Sequence, residues 1–285
     1  MTPEDIFLNV GIQIHLRLWQ PAAQLGKKKR SFVLLHGLSS NAQTWDLVAS
    51  RLALAGHQVA AIDQRGHGLS EKPDQGYGFL TFINDLYQIL QQLGWEQPVL
   101  VGQSWGGNVL LDFAAQYPDT AQGYVFVDGG FLNLRERGPW EQSAVELRPP
   151  DLSGISRTQI ADRIRQMHPG WSEQGIEATL GNFEILADQT IRPWLTLDRH
   201  MMILKAMFEQ DPNALFRRVQ EPVLICAADD GSDQMPFKQK QVQAAELALK
   251  QVEVLWFPDC AHDIHIDQPT QLAAAIMEYP IQGEN

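Results

Sequence analysis

Short apolar runs alternate with longer amphipathic stretches along most of this chain. The apolar runs are rich in β-branched residues and have the length of strands; they cover residues 32–35, 58–62, 99–101, 124–127, 223–227 and 252–257. Helical spacing of apolar positions marks residues 42–55, 79–93, 105–117 and 237–250. This order predicts an α/β fold in which a mostly parallel, twisted sheet carries helices on both faces.

Two regions depart from the alternation. Residues 6–10 and 12–19 meet at Gly11 and predict an antiparallel hairpin on the edge of the sheet. Residues 131–219 show helical stretches at 157–167, 172–183 and 199–209 but no convincing strand. We therefore predict a core domain of residues 1–130 and 220–285, and an inserted helical cap at 131–219. Its large apolar side chains favour a lid over a pocket, with a simple packing layer as the alternative.

Composition excludes several classes of partner. The chain has 285 residues, 44% of them hydrophobic, and a net charge of −12. A field of this sign repels nucleic acids and anionic membrane surfaces. The basic run at residues 27–30 is interpreted as a solvated loop, with an interaction patch as the alternative. A small-molecule substrate is the expected partner, and the protein is expected to be a monomer or a homodimer.

The cysteines and the chain start bear on location and metals. Two cysteines, Cys226 and Cys260, form neither a disulfide framework nor a metal-ligand set. The first residues lack the basic and apolar segments of a signal peptide, and no run approaches the length of a membrane span. We expect a cytoplasmic protein that needs no cofactor and no metal.

Residues 102–106 form the motif G-x-S-x-G between a predicted strand and a predicted helix. In this context the motif is typical of a nucleophile elbow, because small residues permit a sharp turn that exposes the serine Oγ. Ser104 is therefore the candidate nucleophile. The alternative is a simple helix N-cap, which does not explain the flanking glycines.

A serine nucleophile needs a base and a carboxylate that orients the base. His262 lies in a loop after the last predicted strand, and His265 three residues later is its rival. Chain order places the acid between Ser104 and the histidine. Asp128 ends one predicted strand, whereas Asp229, Asp230 and Asp233 follow another.

The oxyanion hole is predicted in residues 34–41, where a strand ends in His36-Gly37. The glycine lets the backbone turn, and the N–H groups of Leu38 and Trp105 are placed to hold a developing oxyanion. Side chains of Leu38, Trp105 and Phe131 are the expected substrate contacts.

Five motifs in this order, together with the insertion, resemble the α/β-hydrolase superfamily over essentially the full chain. They are LLHGLSSNAQTW (34–45), AIDQRGHGLSEKP (61–73), VGQSWGG (101–107), PVLICAADD (222–230) and CAHDIHIDQP (260–269). The resemblance implies that His262 rather than His265 is the base. It also implies that Asp63, Arg65 and His67 have a mainly structural role.

Three positions depart from the family pattern. In the family the acid usually lies three residues after a glycine at the end of a strand. This spacing favours Asp230, although Ala227 stands where the glycine is usual. Relatives that place the acid after the preceding strand would use Asp128, which is the alternative. Gln103 stands where histidine is common, which we expect to affect packing more than chemistry. Trp105, a tryptophan directly after the candidate nucleophile, resembles the pattern of the dehalogenase and epoxide hydrolase branches. Those branches use an aspartate nucleophile, so Ser104 argues against both.

The sequence thus predicts a serine hydrolase that cleaves an ester, lactone or thioester bond of a small, partly apolar substrate through an acyl-enzyme. Two alternatives stay open. One is a C–C bond hydrolase of the same fold, and the other is a non-catalytic ligand-binding protein or receptor, because the fold does not encode the reaction.

Overall fold

An eight-stranded sheet occupies the centre of the computed structural model, which describes residues 1–21 and 29–279. Its order is β1-β2-β4-β3-β5-β6-β9-β10, and β7 and β8 form a separate antiparallel pair. The strands are β1 (Glu4–Asn9), β2 (Gln13–Trp19), β3 (Ser31–Leu35), β4 (Gln58–Ile62), β5 (Val99–Gln103), β6 (Gly123–Val127), β7 (Phe183–Ile185), β8 (Ile191–Pro193), β9 (Val223–Asp229) and β10 (Val252–Pro258).

Strand direction follows the prediction. β1 and β2 form the antiparallel hairpin at one edge, and β2 also runs antiparallel to β4. From β4 to β10 every neighbouring pair is parallel. The carboxyl ends of β3, β5, β6 and β9 therefore meet at one edge of the sheet, where open α/β sheets place their ligand sites.

The described residues contain eleven α-helices and two short 3₁₀ turns, Ala42–Trp45 and Leu134–Arg137. The helices are α1 (Asp46–Leu54), α2 (Phe79–Leu93), α3 (Trp105–Gln116), α4 (Trp140–Glu146), α5 (Arg157–Met167), α6 (Glu173–Leu180), α7 (Leu197–Glu209), α8 (Pro212–Phe216), α9 (Met235–Ala248), α10 (Ile264–Asp267) and α11 (Pro269–Glu278). The predicted helix at 42–55 begins as a 3₁₀ turn because the Asn41 side chain accepts from Gln43 N–H and caps it.

Alternate side chains of the strands form two separate cores, one on each face of the sheet. Val33 and Leu35 of β3 join the core that α2 and α3 cover. Phe32 and Leu34 of the same strand join the core under α1 and α11. All four side chains are buried, which confirms the expected sheet with helices on both faces.

The inserted segment between β6 and β9 carries α4 to α8 and the β7–β8 pair. The expectation that it contains no strand is wrong at this pair, because three-residue strands are too short to show alternation in a sequence. The segment has its own small cluster, in which Ile160, Trp171 and Ile191 pack with Ile266 of the core. Its boundary at 131–219 and its role as a lid stay predictions.

The basic run at residues 27–30 lies partly outside the described residues, which include Lys29 and Arg30 but not Lys27 and Lys28. Lys29 is exposed. Arg30 Nη1 donates to the carbonyls of Met277 and Tyr279, at 3.1 and 3.3 Å, so this end of the run packs on the end of α11. Within the described residues, no helix is both long and apolar enough to cross a membrane.

Candidate active site

Ser104 lies on the sharp turn between β5 and α3. Its backbone has φ 51° and ψ −122°, a left-handed conformation that is strained for a residue with a Cβ. Its N–H donates to the carbonyl of Val127 at 2.9 Å, which ties the turn to the end of β6. A strained serine fixed between a strand and a helix is the geometry predicted for a nucleophile elbow.

The two motif glycines permit this turn by close approach of the backbone. A Cβ on Gly102 would lie 2.5 Å from the carbonyl oxygen of Gly106, and a Cβ on Gly106 would lie 2.6 Å from the carbonyl oxygen of His36. Real Cβ atoms do not approach backbone this closely, so any larger residue would push the turn away from β3. Glycine at both positions therefore holds Ser104 against the loop that follows β3.

His262 and Asp128 meet directly beside this turn. His262 Nδ1 lies 2.6 Å from Asp128 Oδ2, a short hydrogen bond to a carboxylate. Asp128 directly follows β6 and has φ 42°, and its side chain is 1% exposed. Gly129, the next residue, touches the backbone of Ser104 so closely that a Cβ there would overlap the Ser104 carbonyl. The acid, base and serine candidates thus converge at the ends of β5 and β6.

The preference for Asp230 is corrected by this geometry. Asp230 follows the end of β9 in an exposed turn, where its carboxylate accepts from Ser232 N–H at 2.9 Å and makes no contact with His262. That hydrogen bond lowers the pKa of Asp230, as expected for a turn cap. Asp233 is exposed in the same turn, whereas Asp229 is the half-buried last residue of β9 and accepts from Gly231 N–H. The partner of His262 is the alternative acid, Asp128.

The electrostatics of the pair favour an ionised carboxylate and a more basic imidazole. Burial alone would raise the pKa of Asp128, but the hydrogen bond and charge of His262 and the ammonium of Lys238 outweigh it and lower this pKa. Desolvation would likewise lower the pKa of His262, but Asp128 outweighs it and raises the pKa above 6.5. The His262 side chain is 50% exposed, so the imidazole is open to a substrate.

The loop after β3 also lies close to Ser104. A Cβ on Gly37 would lie 3.2 Å from the Cβ of Ser104. Within the described residues, the N–H groups of Leu38 and Trp105 donate no hydrogen bond. Trp105 is the first residue of α3, so its N–H is one of the free donors at the N-terminus of that helix. Free donors at a helix N-terminus beside the nucleophile fit the predicted oxyanion hole.

Two buried histidines hold the loop after β3, residues 36–41, which is called the oxyanion loop below after the role predicted for it. His36 Nδ1 donates to the carbonyl of Gly37 at 2.7 Å, and its Nε2 accepts from Gln64 N–H. His67 Nε2 accepts from Ser39 N–H at 3.3 Å, and its ring stacks on the indole of Trp105. Burial lowers the pKa of both rings, so they remain neutral and keep these bonds at neutral pH.

Other residues of the 61–73 motif are structural. Asp63 is buried and accepts from the backbone N–H groups of Ala42 and Leu69 and from His15 Nδ1. Arg65 forms a two-point ion pair with Asp85. The contacts of Asp63, Arg65 and His67 agree with the mainly structural role that the family resemblance implies.

His265 does not take part in the site. It is fully buried, packs against Trp45 with ring centroids 4.7 Å apart, and has no hydrogen-bond partner among the described residues. Burial lowers its pKa to about 4. A neutral, enclosed imidazole cannot reach Ser104, so the geometry favours His262 over this rival.

A cavity of about 600 Å³ lies between the oxyanion loop and the inserted segment. Its core side consists of Ser39, Ser40 and His67, which adjoin Leu38. The inserted segment supplies the other walls. Nine of its lining residues are apolar: Pro149, Pro150, Leu152, Phe183, Ile191, Pro193, Trp194, Leu195 and Leu197. Six are polar or charged: Arg148, Asp151, Ser153, Asn182, Arg192 and Thr196. The cavity begins beside the oxyanion loop, and neither Ser104 nor His262 lines it.

The expected substrate contacts are corrected in part. The side chains of Trp105 and Phe131 are each 1% exposed, belong to the main core and do not line this cavity. Trp105 is enclosed by His67 and Phe82. Of the three expected contacts, only Leu38 is partly exposed beside the cavity. The prediction for the backbone N–H of Trp105 does not depend on where its side chain lies, and it stays a prediction.

Several contacts of the site were missed in the sequence. Lys238 on α9 donates to Asp128 Oδ2, and Ser39 Oγ lies 2.8 Å from His200 Nδ1 on α7. Gln103 Nε2 donates to the carbonyl of His262 at 3.3 Å, so it supports the histidine loop as well as the packing. No motif marks Lys238 or His200, because a lone lysine or histidine on an amphipathic helix has many ordinary roles.

Comparison with known proteins identifies the family to which the chain belongs. Residues 32–275 match the model of the alpha/beta hydrolase family. Epoxide hydrolase B of Mycobacterium tuberculosis is 34% identical over 158 residues, which cover 53% of this chain and 44% of that enzyme. A serine hydrolase-like protein of Dictyostelium discoideum is 23% identical and covers 99% of this chain and 82% of its own. The matched part thus spans less than half of the first relative.

Solved structures share the fold at low identity. The crystal structure of E-2-(acetamidomethylene)succinate hydrolase has a TM-score of 0.77 at 20% identity and covers 97% of this chain and 98% of its own. The thioesterase domain from the curacin biosynthetic pathway also has a TM-score of 0.77 at 20% identity and covers 98% and 100%. With the family match over most of its length, the chain belongs to the alpha/beta hydrolase family.

Proposed function

We propose that this protein is a serine hydrolase that cleaves an ester-like bond through a Ser104–His262–Asp128 triad. The observation that carries the proposal is the 2.6 Å hydrogen bond between His262 and the buried Asp128, formed beside the strained turn of Ser104. A serine hydroxyl is a weak nucleophile unless a base takes its proton and a carboxylate fixes the tautomer of that base. In this proposal Ser104 is the nucleophile, His262 is the base and Asp128 is the carboxylate that fixes its tautomer.

In the proposed cycle, His262 Nε2 takes the Ser104 proton while Oγ attacks the carbonyl carbon. The N–H groups of Leu38 and Trp105 hold the tetrahedral oxyanion. Asp128 accepts the Nδ1–H of His262 and stabilises the imidazolium, which then protonates the leaving group. Water, activated by His262, resolves the acyl-enzyme through the same steps. The protein groups in this cycle are the side chains of Ser104, His262 and Asp128 and two backbone N–H groups, and the co-substrate is water.

The substrate is proposed to be a small, partly apolar carboxylic ester, lactone or thioester. The mostly apolar walls of the cavity beside the oxyanion loop support this class. Relatives with this fold include a thioesterase domain, an N-acyl homoserine lactone degrading enzyme and a hydrolase of acetamidomethylene succinate. Because one triad serves several leaving groups, a panel of acyl chains and leaving groups is the experiment that narrows the class.

A fluorophosphonate probe tests the proposal most directly. We expect the probe to label the wild-type protein covalently, and peptide mass spectrometry to place the adduct on Ser104. Ser104→Ala is expected to lose the labelling while retaining the thermal unfolding transition of the wild type. Ser143→Ala is the matched control, because Ser143 is buried on α4 and has no role in the cycle. A folded wild-type protein without an adduct on Ser104 would favour the ligand-binding alternative.

The pH dependence of hydrolysis follows from the raised pKa of His262. Only the neutral imidazole accepts the Ser104 proton, so kcat/KM is expected to rise with pH through a midpoint above 6.5. The measurement is kcat/KM for one ester between pH 5 and 9, with residual folding checked at each pH. A midpoint at or below 6.5 would contradict the assigned pairing of His262 with an ionised Asp128.

A further inference from the structure

Lys238 reaches the buried carboxylate of the candidate triad from α9. Its Nζ donates to Asp128 Oδ2 and to the carbonyl of Ala228, each at 2.9 Å. The same Oδ2 atom lies 2.6 Å from His262 Nδ1. The lysine side chain is only 19% exposed and the carboxylate 1%, so this contact is largely shielded from water. One oxygen of Asp128 is therefore shared by an imidazole and an ammonium group.

The remaining contacts of Asp128 complete its hydrogen bonding. Oδ1 accepts from the backbone N–H of Ala228 at 3.0 Å. The carboxylate thus has three donors, which come from β9, α9 and the histidine loop. A buried carboxylate held from three directions has one orientation, and orientation is what a triad acid must supply.

We propose that Lys238 is a positioning residue of the triad, which fixes the Asp128 carboxylate against His262 and offsets part of the negative charge that the imidazole faces. The proposal rests on the proposed hydrolase function. It assigns Lys238 no contact with the substrate, since its ammonium group is occupied by Asp128 and the Ala228 carbonyl.

Three charged groups act on the imidazole of His262. Asp128 and Asp263 raise the pKa of His262, and Lys238 lowers it. His265, on the adjoining helix α10, is buried with a lowered pKa, so it is neutral at the pH of interest. Asp230 lies in the turn before α9, where it is exposed and capped by Ser232 N–H.

Removing the lysine charge has two separable consequences. Without the ammonium group, the imidazolium is favoured by an uncompensated Asp128, so the pKa of His262 rises. Without the hydrogen bond, Oδ2 loses one of its two donors and the carboxylate is less firmly held. Lys238→Gln removes the charge but retains a donor, whereas Lys238→Met removes both.

The test compares Lys238→Met, Lys238→Gln and Lys238→Arg with the control Lys240→Met. Lys240 lies on the same helix, and its exposed ammonium pairs with Glu136 rather than with Asp128. Two readouts are used: the pH profile of kcat/KM for an ester, and an NMR pH titration of the His262 ring. The titration needs no substrate, so it tests the role of Lys238 even if the hydrolase proposal fails the fluorophosphonate experiment.

We expect both neutral variants to move the His262 midpoint upward by about half to one pH unit. Lys238→Met is also expected to lower the pH-independent kcat by about tenfold, and Lys238→Gln by less, because an amide still fixes the carboxylate. Lys238→Arg should restore the wild-type midpoint. If the neutral variants titrate as the wild type and Lys240→Met do, the proposal is overturned. Should Lys238→Met fail to fold, Lys238→Gln alone decides it.

Discussion

Asp128→Asn is expected to lower kcat for ester hydrolysis by about 10⁴-fold, the cost typical of replacing a triad carboxylate by its amide. The amide fits the same space, but its N–H₂ group cannot accept the Nδ1–H of His262 in place of the carboxylate oxygen. The imidazole would then be held in the wrong tautomer to take the Ser104 proton. Steady-state kinetics at a pH above the His262 midpoint measures the loss.

Asp230→Asn is the matched control for this experiment. Asp230 is exposed and caps a turn through Ser232 N–H, a role that asparagine also fills. We expect kcat to stay within about twofold of the wild type, since this carboxylate makes no contact with the triad. Equal losses in both variants, or a loss only at Asp230, would show that the acid is not Asp128.

Asp63→Asn is expected to lower the free energy of unfolding by about 3–5 kcal/mol, as breaking a buried ion pair does. The Asp63 carboxylate accepts from Ala42 N–H at 2.6 Å, Leu69 N–H at 2.8 Å and His15 Nδ1 at 2.7 Å. An asparagine side chain turns one of these acceptors into a donor that faces another donor. Urea unfolding near pH 6 measures the difference.

A surface carboxylate provides the control for Asp63→Asn. Asp162 pairs with Arg165 at the surface of α5, where an ion pair contributes at most about 1 kcal/mol. Asp162→Asn should therefore leave the unfolding midpoint nearly unchanged. Comparable losses in the two variants would mean that the buried contacts of Asp63 do not hold the loops before α1 and after β4.

The pH dependence of the Asp63 contribution has a definite sign. Burial would raise the pKa of Asp63, but the bond and charge of His15 hold it at about 2, below the usual 3.8. Its stabilisation is present above 3.8 and disappears as the pH falls toward 2. The pKa of His15 is raised above 6.5, so that part is lost as the pH rises through the higher value. The stability gap between the wild type and Asp63→Asn is expected to be widest between these limits.

Local patterns were sufficient for most of the fold. Apolar runs predicted the six strands of the parallel part of the sheet, and helical spacing of apolar residues predicted α2. The β7–β8 pair was not predicted, because its three-residue strands lie in an insertion dominated by helices. Pairing between residues eight apart, such as Glu184 with Arg192, is a tertiary property that periodicity does not report.

The sequence predicted which types of residue lie at the strand ends near the candidate site, but it did not predict which of two aspartates contacts the histidine. Ser104 and His262 stand in motifs whose spacing carries information, whereas Asp128 and Asp230 each follow a predicted strand. The choice between them depends on which strand end the histidine loop passes. β6 adjoins β5, the strand that leads into Ser104, so Asp128 at the end of β6 lies beside Ser104, whereas Asp230 lies in an exposed turn past the end of β9. The order of strands in the sheet determines this arrangement, and no local sequence pattern encodes that order.

The side chains of Trp105 and Phe131 show the same limit. A tryptophan after the nucleophile looks available for substrate, but its direction depends on the helix that it begins. Here α3 turns the indole toward Phe82 and His67, where burial in the core is more favourable than exposure at the site. Only the backbone N–H of Trp105, and not its side chain, belongs to the proposed site.

The hydrogen bond between Ser39 and His200 limits how freely the insertion can be exchanged in protein engineering. Ser39 adjoins Leu38, the proposed oxyanion donor, and has φ 60°, while His200 belongs to α7 of the insertion. A chimera whose insertion comes from a relative without a hydrogen-bonding side chain at this position would leave a strained loop less supported. Grafts that retain α7 keep the recipient's oxyanion loop intact.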